Sequence, residues 1–562
     1  MLKIQRQILK HIEFVAYMLA VWSFLVLFFE PVIGYYMNFG RVEFYTAVAN
    51  LLLLLLTIGN RLLFGEERGT QKIIIFDILM LAMGMLLLIY QAKFVIFVLL
   101  VRQTYFIIQF LLFRFSEGKV FRWLSSNPPV AVMLSFATVI FLGTVLLMLP
   151  VASNFNRVTP LVEALFTATS ATCVTGLVVL DTGVHFSLFG QLVILLLIQI
   201  GGLGIMTLST FFALILGQNI NLKLKNVMNQ VVGGAKSVNV FQLLKNIVAV
   251  TLVIEVLGAL ILFIKFSQDL SLLRAIYLSF FHSISAFCNA GFSPLSDNLV
   301  RYADSAVVSL TIPLLIFLGG IGFTVLIDLN HFLFFREKVR KLSLHTKIVL
   351  ATTAILLALG FATFLLFEYH GSMQDFPVQK RILSSIFQSA TTRTAGFNTI
   401  DISTLSKATV LISLVLMFIG ASPGSTGGGI KTTTFSLLAL TVISMIKGRR
   451  DLSVFKRRIP LANFREATGL TMLSAVIVGS IVLILLVVES HPFEKVLFEA
   501  VSAFGTVGLS MGITADLTVL GKLLTTLLMY IGRIGPLTMV YAFAIRNTRS
   551  NINYAEETIA IG

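Results

Sequence analysis

Four times between residues 170 and 512 the chain places a Ser-Ala step shortly before a glycine: SATCVTGLV (170–178), SAFCNAGFS (285–293), SATTRTAGFN (389–398) and SAFGTVGLSMG (502–512). The chemistry open to such a phrase is the binding of a dehydrated cation. An ion that sheds its water needs oxygen ligands, and backbone carbonyls supply them without adding net charge to an apolar interior. Glycine lets the backbone approach the ion closely and adopt positive φ without steric cost. The carbonyls nearest each glycine belong to Val174, Thr175 and Gly176; Asn289, Ala290 and Gly291; Thr394, Ala395 and Gly396; and Thr506, Val507 and Gly508. Four copies in one chain could form a four-fold ring. Small residues also pack membrane helices against one another. Four phrases in register, each between a half-length and a full-length apolar segment, favour a pore.

A second glycine step follows each phrase, at IGGLG (200–204), LGGIG (318–322), IGASPG (419–424) and IGRIG (531–535). Aligned on the first glycine, Gly202, Gly320 and Ala421 correspond to Arg533. A charge at membrane depth is costly and faces a bundle interior or water. Arg533 reads either as an electrostatic barrier below the ring or as a cation paired with an acid such as Glu255, and the barrier is preferred. The third copy departs further, because Gly420, Pro423, Gly424, Gly427, Gly428 and Gly429 crowd ahead of Lys431. Proline removes a helical donor and glycine is a poor helix former, so this second segment should split around a loop able to gate. A static kink is the simpler alternative. GSTGGGIKT also imitates a phosphate-binding loop, but Ile430 separates glycine from lysine and no strand precedes it, so ATP binding is set aside.

The elements that must position these phrases are membrane helices. Of 562 residues, 57% are hydrophobic and 12% charged, with a mean hydropathy of +0.94, which is the profile of a polytopic membrane protein. About 20 apolar residues cross roughly 30 Å of hydrocarbon. Spans are expected at about 14–36, 43–63, 73–91 and 94–113, then as first helices at 130–150, 245–266, 347–367 and 468–488, and as second helices at 187–216, 306–328, 408–446 and 519–544. Segments such as EALFTATSA (163–171) and VLFEAVSA (496–503) are too short to cross, and they carry Phe166, Phe281, Phe387 and Phe498 near their starts. They read as re-entrant half-helices, since non-helical backbone at membrane depth is tolerated only inside protein or against a wet cavity. Their C-terminal ends would add negative potential at the ring. The expected fold is an all-α polytopic membrane protein: four pseudo-repeats of helix, pore loop and helix around a central pore, preceded by about four extra transmembrane helices. The divisions fall at 1–128 for the accessory helices, then 129–216, 217–329, 330–446 and 447–562, the last with a C-terminal tail.

The net charge of +16 lies in short loops, as the positive-inside rule predicts, and does not indicate nucleic acid. The basic stretches 217–245, 336–347 and 447–465 belong in the cytoplasm together with both termini, so the glycine phrases enter from outside. Residues 1–12 are basic and lead into an apolar stretch without a small-residue cleavage site, which reads as a retained first helix. Cys173 and Cys288 support neither a disulfide framework nor a zinc site, and packing is preferred to a redox role. Asp77 and Glu255 raise coupling to H⁺ or Na⁺, with pairing to a polar neighbour preferred. Lys93, Arg102 and Arg114 are too widely spaced for a voltage sensor, and His282 reads as a packing residue.

The third phrase, TTRTAGFNT (391–399), and GASPGSTGGGIKTTT (420–434) resemble the Trk/Ktr/HKT superfamily of potassium transporters, over about 130–545. The resemblance implies a helix, pore loop, helix unit repeated four times, with K⁺ as the transported ion and no tightly bound cofactor. It further implies that the third copy's second segment divides around a mobile loop with Lys431 close by, and that Arg533 matches the family's pore arginine. In that family a glycine in all four filters goes with K⁺ preference and a serine in the first with Na⁺ permeation; position 176 is glycine. The resemblance also implies a bacterial cytoplasmic (inner) membrane, a homodimer and cytosolic nucleotide-binding regulatory subunits of the RCK/KTN type, for which 336–347 and 447–465 are docking surfaces. A symporter coupling K⁺ to Na⁺ or H⁺ and a Na⁺-permeable member of the superfamily are the alternatives. No convergent acid, base or metal constellation supports an enzyme.

Overall fold

The computed structural model describes residues 40–64, 70–88, 127–215, 240–334, 342–448 and 453–536, with a few single positions besides. The expected spans at 14–36 and 94–113 fall almost wholly outside the described residues. So do both termini, Lys93, Arg102 and Arg114, and the basic positions Lys223, Lys225, Lys236, Arg336, Lys338, Arg340, Lys341, Arg449 and Arg450. Contacts divide the chain into two compact units, residues 1–123 with 215–217, and residues 124–214 with 218–562. In the first, α1 (Gly40–Phe64) packs on α2 (Thr70–Leu88), with Ala47, Leu51, Leu54 and Ile58 buried.

In the second unit one order of elements recurs four times: a long helix, a short helix, a glycine-bearing segment, a further helix. The first set is α3 (Pro128–Met148), α4 (Leu161–Thr172) and α5 (Leu188–Ile215). The second is α6 (Val240–Asp269), α7 (Leu272–Phe287), α8 (Ala306–Gly320) and α9 (Phe323–Phe334). The third is α10 (Leu344–Phe367), α11 (Val378–Thr391), α12 (Lys407–Phe418) and α13 (Thr432–Ile446). The fourth is α14 (Leu461–Val488), α15 (Phe493–Gly505) and α16 (Val519–Ile534). Among the described residues, the helices long and apolar enough to cross a bilayer unbroken are Pro129–Met148, Lys245–Asp269, Leu344–Phe367 and Leu461–Val488, the first of each set. The short helices α4, α7, α11 and α15 each bury a phenylalanine: Phe166, Phe281, Phe387 and Phe498 are all fully buried.

The second helices differ from expectation. Only the third was expected to break, yet all four do. Helix α5 is interrupted at Gly204 (φ 84, ψ −177), α8 and α9 meet at 98° with Gly322 at φ 95, and α16 stops at Gly535 (φ 89). Each of these glycines lies three residues after the first glycine of its step, and Gly424 (φ 66) serves the third copy. A left-handed residue ends an α-helix, and the carbonyls of the preceding turn lose their usual donors. A two-stranded hairpin, β1 (Ser453–Val454) with β2 (Arg457–Arg458), is a small departure from an all-helical chain.

A polar cap fixes one of the loops between helices. Glu368, at the C-terminal end of α10, accepts from the Ser406 amide at 2.9 Å and from Ser372 Oγ at 2.8 Å, tying the third long helix to the start of α12. Burial alone would raise its carboxyl, but hydrogen bonds from Thr409, Ser406 and Ser372 outweigh it and hold Glu368 below the ordinary glutamate range.

Candidate functional site

The half-helices of copies 1, 2 and 4 end by one device. The amides of Thr175, Ala290 and Val507 bond the carbonyls of Ser170, Ser285 and Ser502 at 2.7, 2.7 and 2.8 Å. Those of Val174, Asn289 and Thr506 bond Ala171, Ala286 and Ala503 at 3.1, 3.0 and 3.1 Å. This is the Schellman ending, which puts the residue after the cap in the left-handed region. Val174, Asn289 and Thr506 adopt it at φ 58, 61 and 52. For a residue such as Val174 or Thr506 this conformation costs about 1–2 kcal/mol, and less for Asn289. Strain of this kind persists where the surroundings enforce it, and it gathers at functional sites. The third phrase has one more residue between its Ser-Ala step and its glycine; Ala395 N bonds Thr391 O at 3.0 Å, four residues back, and Thr394 still reaches φ 71 in the same register.

Two residues after each strained position comes the glycine, at φ 90, 69, 78 and 90 for Gly176, Gly291, Gly396 and Gly508, with the residue between at negative φ. Alternation of sign turns successive carbonyls to one side of the chain. Hydroxyls hold the turn: Ser170 and Ser502 accept from the amides of Gly176 and Gly508 at 3.0 and 3.1 Å. Ser285 and Thr391 donate to the carbonyls of Phe292 and Phe397 at 2.9 and 2.6 Å.

The four turns meet. A Cβ built on Gly176 would strike the Ala290 carbonyl oxygen, and one on Gly291 would lie 2.6 Å from that of Ala395. On Gly396 it would lie 2.6 Å from the Val507 oxygen, and on Gly508 it would strike that of Thr175. The approaches run from copy 1 to 2, 2 to 3, 3 to 4 and 4 back to 1, a closed ring that brings together the four glycines and the residue before each, eight of the twelve residues expected from sequence. The helices close the same circuit: Tyr530 Oη donates to the Met133 carbonyl at 2.7 Å, and Lys522 Nζ lies 3.5 Å from Glu163.

The glycine-rich segment between α12 and α13 lies against this ring on the side of the strained residues. Gly428 N donates to Thr506 Oγ1 at 2.9 Å, and a Cβ on Gly427 would strike Thr394 Oγ1. Thr426 Oγ1 donates to the Phe287 carbonyl at the end of α7 at 3.2 Å. The Asn289 amide, its nitrogen turned towards Thr426 Oγ1 at 3.3 Å, accepts from Thr394 Oγ1 at 3.3 Å. In copies 1, 2 and 4 the glycine of the second helix, Gly201, Gly319 or Gly532, abuts a carbonyl at its half-helix end, that of Thr172, Phe287 or Phe504. Gly420 instead abuts the Gly428 carbonyl, because the loop has folded back over its own helix.

Arg533 is 5% exposed and donates to two carbonyls, Thr426 in the loop and Gly201 in α5. The interruption at Gly204 leaves carbonyls such as that of Gly201 for another donor. Lys431 Nζ donates to the Gly427 carbonyl at 2.8 Å. Two cations thus hold successive loop carbonyls. Glu255, the acid considered as a partner for Arg533, instead accepts from Gln199 Nε2 at 3.3 Å and lies 3.9 Å from Cys288 Sγ. His282 is a packing residue, its ring nitrogens 2.8 Å from the Leu278 carbonyl and 3.0 Å from Ser293 Oγ. Sequence reading missed Ser422, Thr426, Gly322, Phe323 and the Thr506 hydroxyl; the one signal available for them was the second glycine shared by IGGLG, LGGIG and IGRIG.

A family model for TrkH, described as a cation transport protein, matches residues 95–554. The chain belongs to the TrkH family. The resemblance to the Trk/Ktr/HKT superfamily carried by TTRTAGFNT and GASPGSTGGGIKTTT is borne out, and a TrkH-family chain is a transport protein rather than an enzyme. Ktr system potassium uptake protein B of Bacillus subtilis (strain 168) is 40% identical over 449 residues, covering 80% of this chain and 99% of the relative. Potassium/sodium uptake protein NtpJ of Enterococcus hirae is 37% identical over 443 residues, covering 78% and 97%. The potassium transporter TrkH from Vibrio parahaemolyticus shares the fold, with a TM-score of 0.61 over 90% of this chain and 99% of that one, at 18% identity.

Proposed function

We infer that the chain takes up potassium ions across a bacterial cytoplasmic membrane through one central pore, around which the four repeats 129–216, 217–329, 330–446 and 447–562 are arranged. The closed circuit of glycine-to-carbonyl approaches among Gly176, Gly291, Gly396 and Gly508 carries this reading. A cation entering from outside exchanges water for the carbonyls of the twelve filter residues, Val174 to Gly176, Asn289 to Gly291, Thr394 to Gly396 and Thr506 to Gly508. The loop from Gly420 to Lys431 is the gate beneath, and Arg533 and Lys431 hold it shut. Relatives named as potassium uptake proteins support the choice of ion, as does glycine rather than serine at position 176.

In this reading a homodimer and cytosolic nucleotide-binding subunits complete the system; the name of the Bacillus subtilis relative, one protein of a Ktr system, supports partner subunits in general. The basic stretches 336–347 and 447–465 are the docking surfaces; Lys347 Nζ, at the end of the first, stands 5.9 Å from the centroid of the Phe455 ring in the hairpin of the second. A relative named for both potassium and sodium favours one second reading, a Na⁺-permeable pore. Uptake of ⁸⁶Rb⁺ into proteoliposomes, with no Na⁺ or pH gradient and with Na⁺ as competitor, decides. Uptake that Na⁺ barely inhibits supports the potassium pore. Strong competition establishes the sodium-permeable reading, and uptake that requires a gradient overturns the uncoupled pore.

A further inference from the structure

The bend between α8 and α9 and the glycine-rich loop satisfy each other's backbone. In a continuous helix the amides of Phe323 and Thr324 would bond the carbonyls of Gly319 and Gly320, four residues back. Instead the Gly319 carbonyl accepts from Thr426 N at 3.2 Å, the Gly320 carbonyl accepts from Ser422 N at 3.0 Å, and Phe323 N donates to the Gly424 carbonyl at 2.9 Å. The same groups therefore have two mutually exclusive sets of partners, the loop when the helix is bent and the helix itself when it is straight. Discrete alternatives of this kind are what switching elements are made of.

We propose that Gly322 is a positioning residue for the gating loop, and that straightening the α8–α9 bend releases residues 422–426 from beneath the filter. The proposal rests on the reading of that loop as the gate. The bent state requires glycine, because Gly322 stands at φ 95 and a Cβ there would lie 2.6 Å from the Pro423 carbonyl oxygen. Helix α9 is held on its other side by α10. Ile321, Val325 and Val349 form a buried cluster, and Asp328 accepts from Ser343 N at 3.1 Å and from Thr346 Oγ1 at 2.6 Å, where α10 begins. The Phe323 ring packs on Phe287 with centroids 6.4 Å apart, so the bend also underlies the base of the second filter turn. A shift of α9 against α10 reaches the loop through Phe323 N and the Gly319 and Gly320 carbonyls, none of which belongs to a filter residue.

The test is ⁸⁶Rb⁺ flux through the full chain in proteoliposomes, with the Rb⁺/Na⁺ ratio recorded throughout. Gly322→Ala should raise basal flux about tenfold, since a side chain disfavours the left-handed bend, and leave the ratio unchanged. A Cys pair at Asp328→Cys and Thr346→Cys, oxidised, should fix α9 to α10 and cut flux to about a tenth, with reductant restoring it; single-Cys variants should not respond. Deletion of Gly427 to Gly429 should raise flux even in the oxidised pair. If that deletion opens the pore while oxidation of the pair changes nothing, the bend has no part in gating and the proposal falls. If the deletion itself leaves flux unchanged, the loop is not the gate and the prior reading falls with it. Should Gly322→Ala fail to fold, the Cys pair decides alone.

Discussion

Thr506→Val replaces by a methyl group the hydroxyl that joins the fourth glycine turn to the glycine-rich loop. Thr506 Oγ1 accepts the Gly428 amide at 2.9 Å, in a place where both groups are buried. Valine keeps the shape and takes the acceptor away. The left-handed backbone tolerates the exchange, because Val174 already occupies the matching position of the first copy at φ 58 against 52 for Thr506. A buried amide left without a partner costs about 1–3 kcal/mol. If the released loop gives that amide to water, only the closed state bears this cost, and the open population should rise about 5- to 150-fold. The assay is basal ⁸⁶Rb⁺ uptake into proteoliposomes beside single-channel open probability. Thr506→Ser, which retains the hydroxyl, should behave as wild type, and the Rb⁺/Na⁺ ratio should hold in both variants because the Thr506 carbonyl is untouched. Normal uptake in the valine variant, or equal activation in the serine variant, would refute the reasoning.

Arg533→Ala removes both donors that join the loop to α5, and basal flux should rise at least as far as in Thr506→Val; wild-type rates would show that the arginine does not hold the gate. Gly176→Ser places a Cβ on the Ala290 carbonyl and forces a side chain to φ 90, so Na⁺ flux relative to K⁺ should increase, and an unchanged ratio removes Gly176 from the filter. Glu368 is held below its ordinary range, so its contribution to stability is complete above the unfolded-state pKa and disappears as pH falls through the folded one. The melting temperature of Glu368→Gln should therefore lie below wild type at neutral pH and converge on it in acid; a gap that does not narrow would show that the carboxylate's charge is not what matters.

The four glycine turns were legible because they are repeated. Glycine at a fixed distance from a half-length apolar segment is a local pattern, and four copies made it collective. The split third segment was legible for a similar reason, since Pro423 and its glycines cannot remain helical. The breaks at Gly204, Gly322 and Gly535 were not. An isolated glycine in an apolar helix costs only about 1 kcal/mol, and hydropathy does not respond to the sign of φ. What decides those breaks lies far away in sequence: Gly201 is met by Arg533 and Gly319 by Thr426. The role of Arg533 illustrates the limit from the other side. Its cost at membrane depth was evident, but two main-chain carbonyls, rather than an acid, receive it.

The ring of glycine approaches also has a direction. Each glycine leans on the carbonyl of the next copy and never on its own, so an alteration in one turn is delivered first to its neighbour. A bulky residue at position 396 would displace the Val507 oxygen, while the Ala395 oxygen answers to position 291. The unit whose geometry must be kept is thus the junction between copies. The third turn accommodates one extra residue, yet its glycine, like the other three, is bound to the geometry of a segment more than 100 residues away.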